Sequence, residues 1–236
     1  MSGDLLPEEE CPLCHGYGLV IDRATNTHRP CSCGLLDRVA MEERFRAAGI
    51  PARFLKKDFD SFKPLDKQDK EREMIRKAAR SYALSFRPDE SPGLLFRGNP
   101  GSGKTHIAIA VLREIIRRGF TGRFENFSDL LSRIRSTWHR DAEMQEESLL
   151  AEVEEADLLV IDDLGAESTA DWVRDRLYLI INRRYEAARP LIITTNCAEA
   201  DLRARVGDRI YSRLCEMCAA SFPGFPTVDY RQAKMQ

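Results

Sequence analysis

Apolar residues along this chain keep two different rhythms, and the rhythm changes near Gly93. Before it, residues 35–48 and 67–86 are rich in charge and read as polar helices. The first stops at Gly49 with Pro51 beyond, the second at the break Arg87-Pro88-Asp89-Glu90-Ser91-Pro92. Between them residues 52–64 are basic and aromatic, and Phe54, Phe59 and Phe62 predict a linker that docks by its rings. After Gly93, short apolar runs alternate with longer helical patterns. Residues 94–96, 123–126, 158–161 and 191–195 predict strands, the last two as continuous apolar or β-branched runs suited to strands covered on both faces. Helices are predicted over 105–118, where Ile107, Val111 and Ile115 recur at helical spacing, and over 170–188. Another helix follows the second strand, with Ser128 as its expected cap. Strands alternating with helices argue for a parallel sheet in an α/β layer sandwich.

A length of 236 residues suits one domain of about 150–200 residues and a small appendage. With 43% hydrophobic and 31% charged residues the chain is globular rather than disordered. No apolar run approaches the roughly 18 residues of a membrane span. The acidic N-terminus lacks the basic-then-apolar order of a secretory signal, so a cytoplasmic protein without a membrane partner is expected. A net charge of −2 excludes a strongly basic nucleic-acid binder but leaves local patches. Lysine usage is more telling. Between Lys77 and Lys234 the chain uses arginine everywhere except at Lys104. Lysine is a compact point charge and arginine a planar fork, so position 104 calls for the compact cation.

Gly98-Asn99-Pro100-Gly101-Ser102-Gly103-Lys104-Thr105 matches the phosphate-loop pattern G-x-x-x-x-G-K-[ST] in full, between a predicted strand and a predicted helix. The glycines let the backbone curl so that its N–H groups face phosphate oxygens, and the helix adds its positive N-terminal end. Lys104 is then suited to the β- and γ-phosphates of ATP, and the Thr105 hydroxyl to Mg2+. The partner feature is Leu158-Leu159-Val160-Ile161-Asp162-Asp163, an apolar strand that delivers carboxylates at the carboxyl edge of the sheet. Asp162 is the expected magnesium partner, directly or through water, and Asp163 the base for an attacking water. A GTPase would need an Asn-Lys-x-Asp motif, which the chain lacks, and a small-molecule kinase would need an acceptor pocket and lid.

Four of the seven cysteines form the set Cys11-Pro12-Leu13-Cys14 and Cys31-Ser32-Cys33. A C-x-x-C turn supplies one corner of a thiolate tetrahedron, so Zn2+ is the expected occupant; His15 and His28 are alternative ligands, and reduced thiols or a redox pair remain the competing readings. Cys215-Glu216-Met217-Cys218 is a single pair in a predicted helix and reads as free buried cysteine.

The phosphate loop at 98–105, the acidic strand end at 158–163 and the later strand ending in Asn196 resemble an AAA+ ATPase. With Gly207-Asp208-Arg209-Ile210-Tyr211-Ser212-Arg213-Leu214, the resemblance over about residues 54–231 is to helicase loaders of the DnaC/DnaI type and the related IstB transposition helpers. It implies a P-loop parallel-sheet ATPase domain (93–236) without a full helical lid, a linker (35–92) and a small zinc-binding module (1–34). It extends the ATP-binding set through His106 and to Arg231 as a sensor 2 arginine. Asn196 becomes sensor 1, at the γ-phosphate or the attacking water, and Arg213 the arginine finger that completes a neighbour's site. Arg135, Trp138 and Trp172 become single-stranded DNA contacts, and the zinc module the grip on a hexameric replicative helicase. Aspartate at 163, where many relatives of the superfamily carry glutamate, implies slow hydrolysis stimulated by DNA or partner. A transposition helper and a nucleotide-switched adaptor are the rival functions.

Overall fold

A computed structural model of the chain describes residues 11–22, 27–64, 69–137, 142–166, 170–219, 222–226 and 228–233. The chain divides into two compact units, Met1–Ala47 and Ala48–Gln236, so the stretch expected as a linker is shared between them.

In the first unit β1 (Leu19–Asp22) and β2 (Thr27–Pro30) pair antiparallel, with Leu19 opposite Pro30. The helix α1 (Leu35–Ala47) follows. Among its described residues Cys14, Cys31, Leu35 and Phe45 are the buried apolar side chains, while Leu13, Tyr17 and Ile21 are well exposed. A hairpin and one helix bury too little to hold themselves, and a cross-link at the cysteines would supply what the core does not.

The second unit runs α2 (Lys70–Ser85), β3 (Leu94–Arg97), α3 (Lys104–Arg117), β4 (Gly122–Asn126), α4 (Phe127–Ser136), α5 (Ala142–Glu155), β5 (Leu158–Asp162), α6 (Asp171–Glu186), β6 (Leu191–Thr195), α7 (Glu199–Val206), α8 (Asp208–Met217) and α9 (Tyr230–Ala233). Its four strands are parallel in the order β3-β6-β5-β4. Every residue of β5 and β6 is buried, as their unbroken apolar runs predict. One face of the sheet, with Leu159, Ile161, Leu191 and Ile193, packs against Leu130, Ile134, Val153, Ile181, Leu202 and Leu214 of the helices. Helix α3 is buried along most of its length and packs on α2. The order matters for function: β6 lies between β3 and β5, so the loops leaving their carboxyl ends converge.

Three details refine the expectations. Asn126, the last residue of β4, caps α4 by accepting the Asp129 N–H at 3.3 Å, so Ser128 is inside the helix and not its cap. Cys215 is exposed on α8 and Cys218 half-buried, so the pair is not the buried couple expected. Phe59 and Phe62 are buried, and the aromatic stretch docks by its rings, Phe62 lying edge-on to His106 at 5.2 Å. The polar helix α5 is anchored by Arg184 of α6. This fully buried guanidinium donates to the carbonyls of Val153 (3.0 Å), Glu154 (3.0 Å), Ala156 (2.9 Å) and Pro190 (2.6 Å), closing the open C-terminus of α5.

Candidate functional site

The loop 98–103 joins β3 to α3. Gly101 and Gly103 sit at φ +79° and +99°, backbone that side chains rarely adopt, and a Cβ on Gly103 would stand 2.6 Å from the Phe62 ring. Lys104 is 6% exposed. Its Nζ donates to Gly98 O at 2.8 Å, Asn99 O at 2.9 Å and Asn196 Oδ1 at 2.7 Å. The ammonium is therefore held at the mouth of the loop by three oxygens. Asn196, one residue beyond β6, also donates its Nδ2 to Asp163 Oδ1 at 2.7 Å. Its amide bridges the cation of one strand-end loop to the carboxylate of another, which the placing of β6 between β3 and β5 makes geometrically direct.

Beside this chain lies a second one. The Thr105 hydroxyl donates to Asp162 Oδ1 at 2.7 Å, and the Thr194 hydroxyl donates to the same oxygen at 2.6 Å. Burial raises the Asp162 pKa, against the pull of these two hydroxyls. Thr194 Oγ1 in turn accepts the Asp163 N–H at 3.0 Å. Asp163 has φ +60°, an uncommon conformation for a non-glycine residue, and the Thr194 and Asn196 bonds hold it there. Thr105 and Asp162 thus bring a hydroxyl and a carboxylate together, the hard oxygen donors a magnesium ion takes.

These groups line a cleft of about 440 Å³. Asp162, Asp163, Thr194 and Asn196 line it, and so do Arg53, Phe54, Lys57, Arg72, His106, Asn126 and Tyr230. His106 is half-buried, and its Nε2 lies 2.8 Å from Asp58 O and 3.1 Å from Ser61 Oγ, fastening the aromatic stretch to α3. Burial lowers its pKa to about 4, so the ring is neutral at physiological pH. Sequence reasoning missed Thr194, Arg72 and Tyr230. Nothing local marks any of the three; Thr194 meets Asp162 and Asp163 only because β6 pairs with β5.

A family model for IstB-like ATP binding proteins matches residues 36–214. The chain belongs to this family. It is 30% identical over 136 residues to the replicative helicase loader DnaC of Escherichia coli K12, covering 58% of this chain and 55% of that protein. It is 34% identical over 135 residues to an insertion-sequence ATP-binding protein of Geobacillus stearothermophilus, covering 57% of this chain and 52% of that one. The chain thus spans about half the length of these curated relatives. Among solved structures, the crystal structure of the DnaC helicase loader superposes with a TM-score of 0.64 at 30% identity, over 75% of this chain and all of that one. The fold is the AAA+ parallel-sheet fold.

Other residues expected to act in this IstB-like chain lie apart from the cleft. Arg213 is on α8, over Tyr178 (4.9 Å) and Tyr185 (5.4 Å), with Arg209 4.8 Å from the Tyr178 ring centre. They line a surface pocket with Asp208 and Ser212, not the nucleotide cleft. Arg135 is exposed in the last turn of α4. Trp172, in the first turn of α6, is half-buried and packs against the main core. Trp138 lies outside the described residues, and Arg231 is described by its backbone alone, in α9.

In the first unit the four predicted cysteines converge. All four sulfurs lie within 4.8 Å of one another, with Cys11–Cys31 at 3.8 Å and Cys14–Cys33 at 3.7 Å. The edge of a tetrahedron built on ~2.3 Å zinc–sulfur bonds is ~3.8 Å, so the donor set fits a tetrahedral thiophilic ion. Among the described residues this is the group of metal-ligating side chains that could hold one, and His15 and His28 are not in it. No helix among the described residues is long and apolar enough to cross a membrane.

Proposed function

We propose that this chain is a magnesium-dependent AAA+ ATPase that loads a hexameric replicative helicase onto single-stranded DNA. The observation that carries the reading is the pair of hydrogen-bonded chains, Lys104–Asn196–Asp163 and Thr105–Asp162–Thr194, at the converging ends of three parallel strands.

On this reading Lys104 leaves its loop carbonyls for the β- and γ-phosphates of ATP, and the N–H groups of 98–106 take the remaining phosphate oxygens. Thr105 and Asp162 hold Mg2+, which neutralises phosphate charge. Asp163 orients the water, and Asn196 keeps that carboxylate in register with the terminal phosphate. Arg231 acts from the C-terminal segment as sensor 2. Aspartate reaches one methylene less far than glutamate, so turnover is slow until DNA or a partner adjusts the site. Arg213 serves a neighbouring copy: it stands away from its own cleft, half-buried on α8 in a surface pocket. A finger of this kind is worth ~10³–10⁵ in rate. The four cysteines hold Zn2+ and fix the first unit, whose exposed Leu13, Tyr17 and Ile21 suit a grip on the helicase. Arg135, Trp138 and Trp172 line the path of single-stranded DNA, where stacking adds roughly 1–3 kcal/mol per base. The work is cytoplasmic.

The insertion-sequence relative supports a second reading, a transposition helper that binds duplex DNA and a transposase. Mixing the chain with the host's replicative helicase, with single-stranded or duplex DNA and with or without ATP, separates the two. A complex that transfers the ring onto single strands supports loading. Duplex binding without a helicase complex refutes it, and equal transfer without hydrolysis points to a nucleotide-switched adaptor.

A further inference from the structure

Arg72 lines the cleft yet belongs to no motif. It comes from α2, is only 5% exposed, and lies flat between two rings, 3.6 Å over Phe62 and 4.0 Å over Tyr230. Its Nε donates to Lys63 O at 2.6 Å. Its Nη1 has no hydrogen-bond partner. That atom stands 3.3 Å from where a Cβ on Gly103 would be, directly against the phosphate loop.

A buried guanidinium N–H left open is costly, and proteins rarely leave one unless something arrives to take it. Burial lowers the pKa of Arg72, but an arginine stays charged. The ring clamp and the Lys63 bond fix the plane of the fork, so Nη1 cannot turn elsewhere. Tyr230 is fixed in its own right: its N–H donates to Gly101 O at 3.2 Å and its hydroxyl to Asp69 Oδ2 at 2.9 Å. The result is a rigid cation whose Nη1 is open beside a loop built to receive anionic oxygens.

Its location along the cleft decides what it meets. The terminal-phosphate end is defined by Lys104, Asn196 and Asp163, which are hydrogen-bonded to one another. The contacts of Arg72 are instead with Phe62, Tyr230, the Lys63 carbonyl and the backbone of Gly103. The geometry points to Arg72 as a nucleotide-binding residue that donates Nη1–H to an oxygen common to ATP and ADP. This rests on the reading of the cleft as an ATP site and adds to it a second fixed cation, supplied by a helix upstream of the phosphate loop.

The test is calorimetric titration of magnesium with ATP and with ADP into the wild type, Arg72→Met, Arg72→Lys and Lys104→Ala, with melting curves recorded without nucleotide. Arg72→Met should bind both nucleotides about 10- to 100-fold more weakly, by the same factor for each, the loss of one charge-assisted hydrogen bond. Arg72→Lys keeps the charge without the fork and should fall between. If Arg72→Met melts as an unfolded chain, Arg72→Lys is read against the same outcomes. Affinities equal to wild type in a folded variant, while Lys104→Ala loses binding, would overturn the proposal and leave the ATP site standing. A loss confined to ATP would also overturn it, by moving the donor to the terminal phosphate. A wild type that binds neither nucleotide would overturn both.

Discussion

Thr194→Val is the sharpest perturbation the site offers, because it keeps the shape and strand preference of the side chain and removes only a hydroxyl. Thr194 is 1% exposed, and its hydroxyl does two things at once. It donates to Asp162 Oδ1 at 2.6 Å and accepts the Asp163 N–H at 3.0 Å. A hydrogen bond to an ionised partner contributes about 1.5–3 kcal/mol and a neutral one about 1 kcal/mol, so the substitution should cost about 2.5–4 kcal/mol. With a urea m-value of about 1–3 kcal/mol/M, the midpoint of the Ala48–Gln236 unit should fall by about 1–4 M. The cost should also depend on pH. Asp162 titrates above the usual carboxylate range because it is buried. As pH drops through that raised value the carboxyl protonates, the bond from position 194 becomes a neutral one, and the deficit should shrink to about 2 kcal/mol. Urea curves for both proteins, taken from neutral pH down through the carboxylate range, measure this. An unchanged midpoint would refute the description of the site, and a deficit that stays constant as the pH falls would refute the assignment of its larger part to an ionised Asp162.

Other outcomes follow from the same geometry. Arg184→Met leaves four carbonyls without their donor and should destabilise the ATPase unit by about 3–4 kcal/mol in thermal or urea unfolding, with nucleotide affinity of the folded fraction unchanged. Burial lowers His106 from 6.5 to about 4, so the unfolded chain binds a proton first; stability should be flat above pH 6.5 and decline as pH falls from 6.5 towards 4, and His106→Asn should flatten that decline. Protein purified without chelator should carry about one zinc per chain, and Cys31→Ser should lower that ratio and loosen the first unit in hydrogen exchange.

What the sequence revealed and what it hid divide along one line. Where function rests on a local strand–turn–helix arrangement, the residues announce it: the loop 98–105, Asp162 and Asp163 at a strand end, and Asn196 after the next apolar run all converge as expected. The four cysteines converge for the same reason, since two short turns and a hairpin are enough to gather them. Where function rests on strand order, no local pattern speaks. Nothing in Leu191-Ile192-Ile193-Thr194-Thr195 says that β6 lies beside β5, so Thr194 looked like one more β-branched residue. Nothing local marks Arg184 or Arg72; their roles come from partners far along the chain or from rings brought in by other segments. The acidic residues Glu152 and Glu154 before β5 pair with Arg123 and Arg183 of neighbouring elements, which no local pattern shows. The cap of α4 was misread because both Asn126 and Ser128 are good capping residues, and only the length of β4 chooses between them.

The direct test of the account is calorimetry of ATP with Mg2+ on the wild type and on Lys104→Ala. The wild type should bind ATP in a magnesium-dependent way, and the variant, stripped of the ammonium that three oxygens now hold at the loop, should bind at least tenfold more weakly (~10-fold per 1.4 kcal/mol). Absence of binding by the wild type, or equal binding by the variant, would contradict the claim that these strand ends form a nucleotide site.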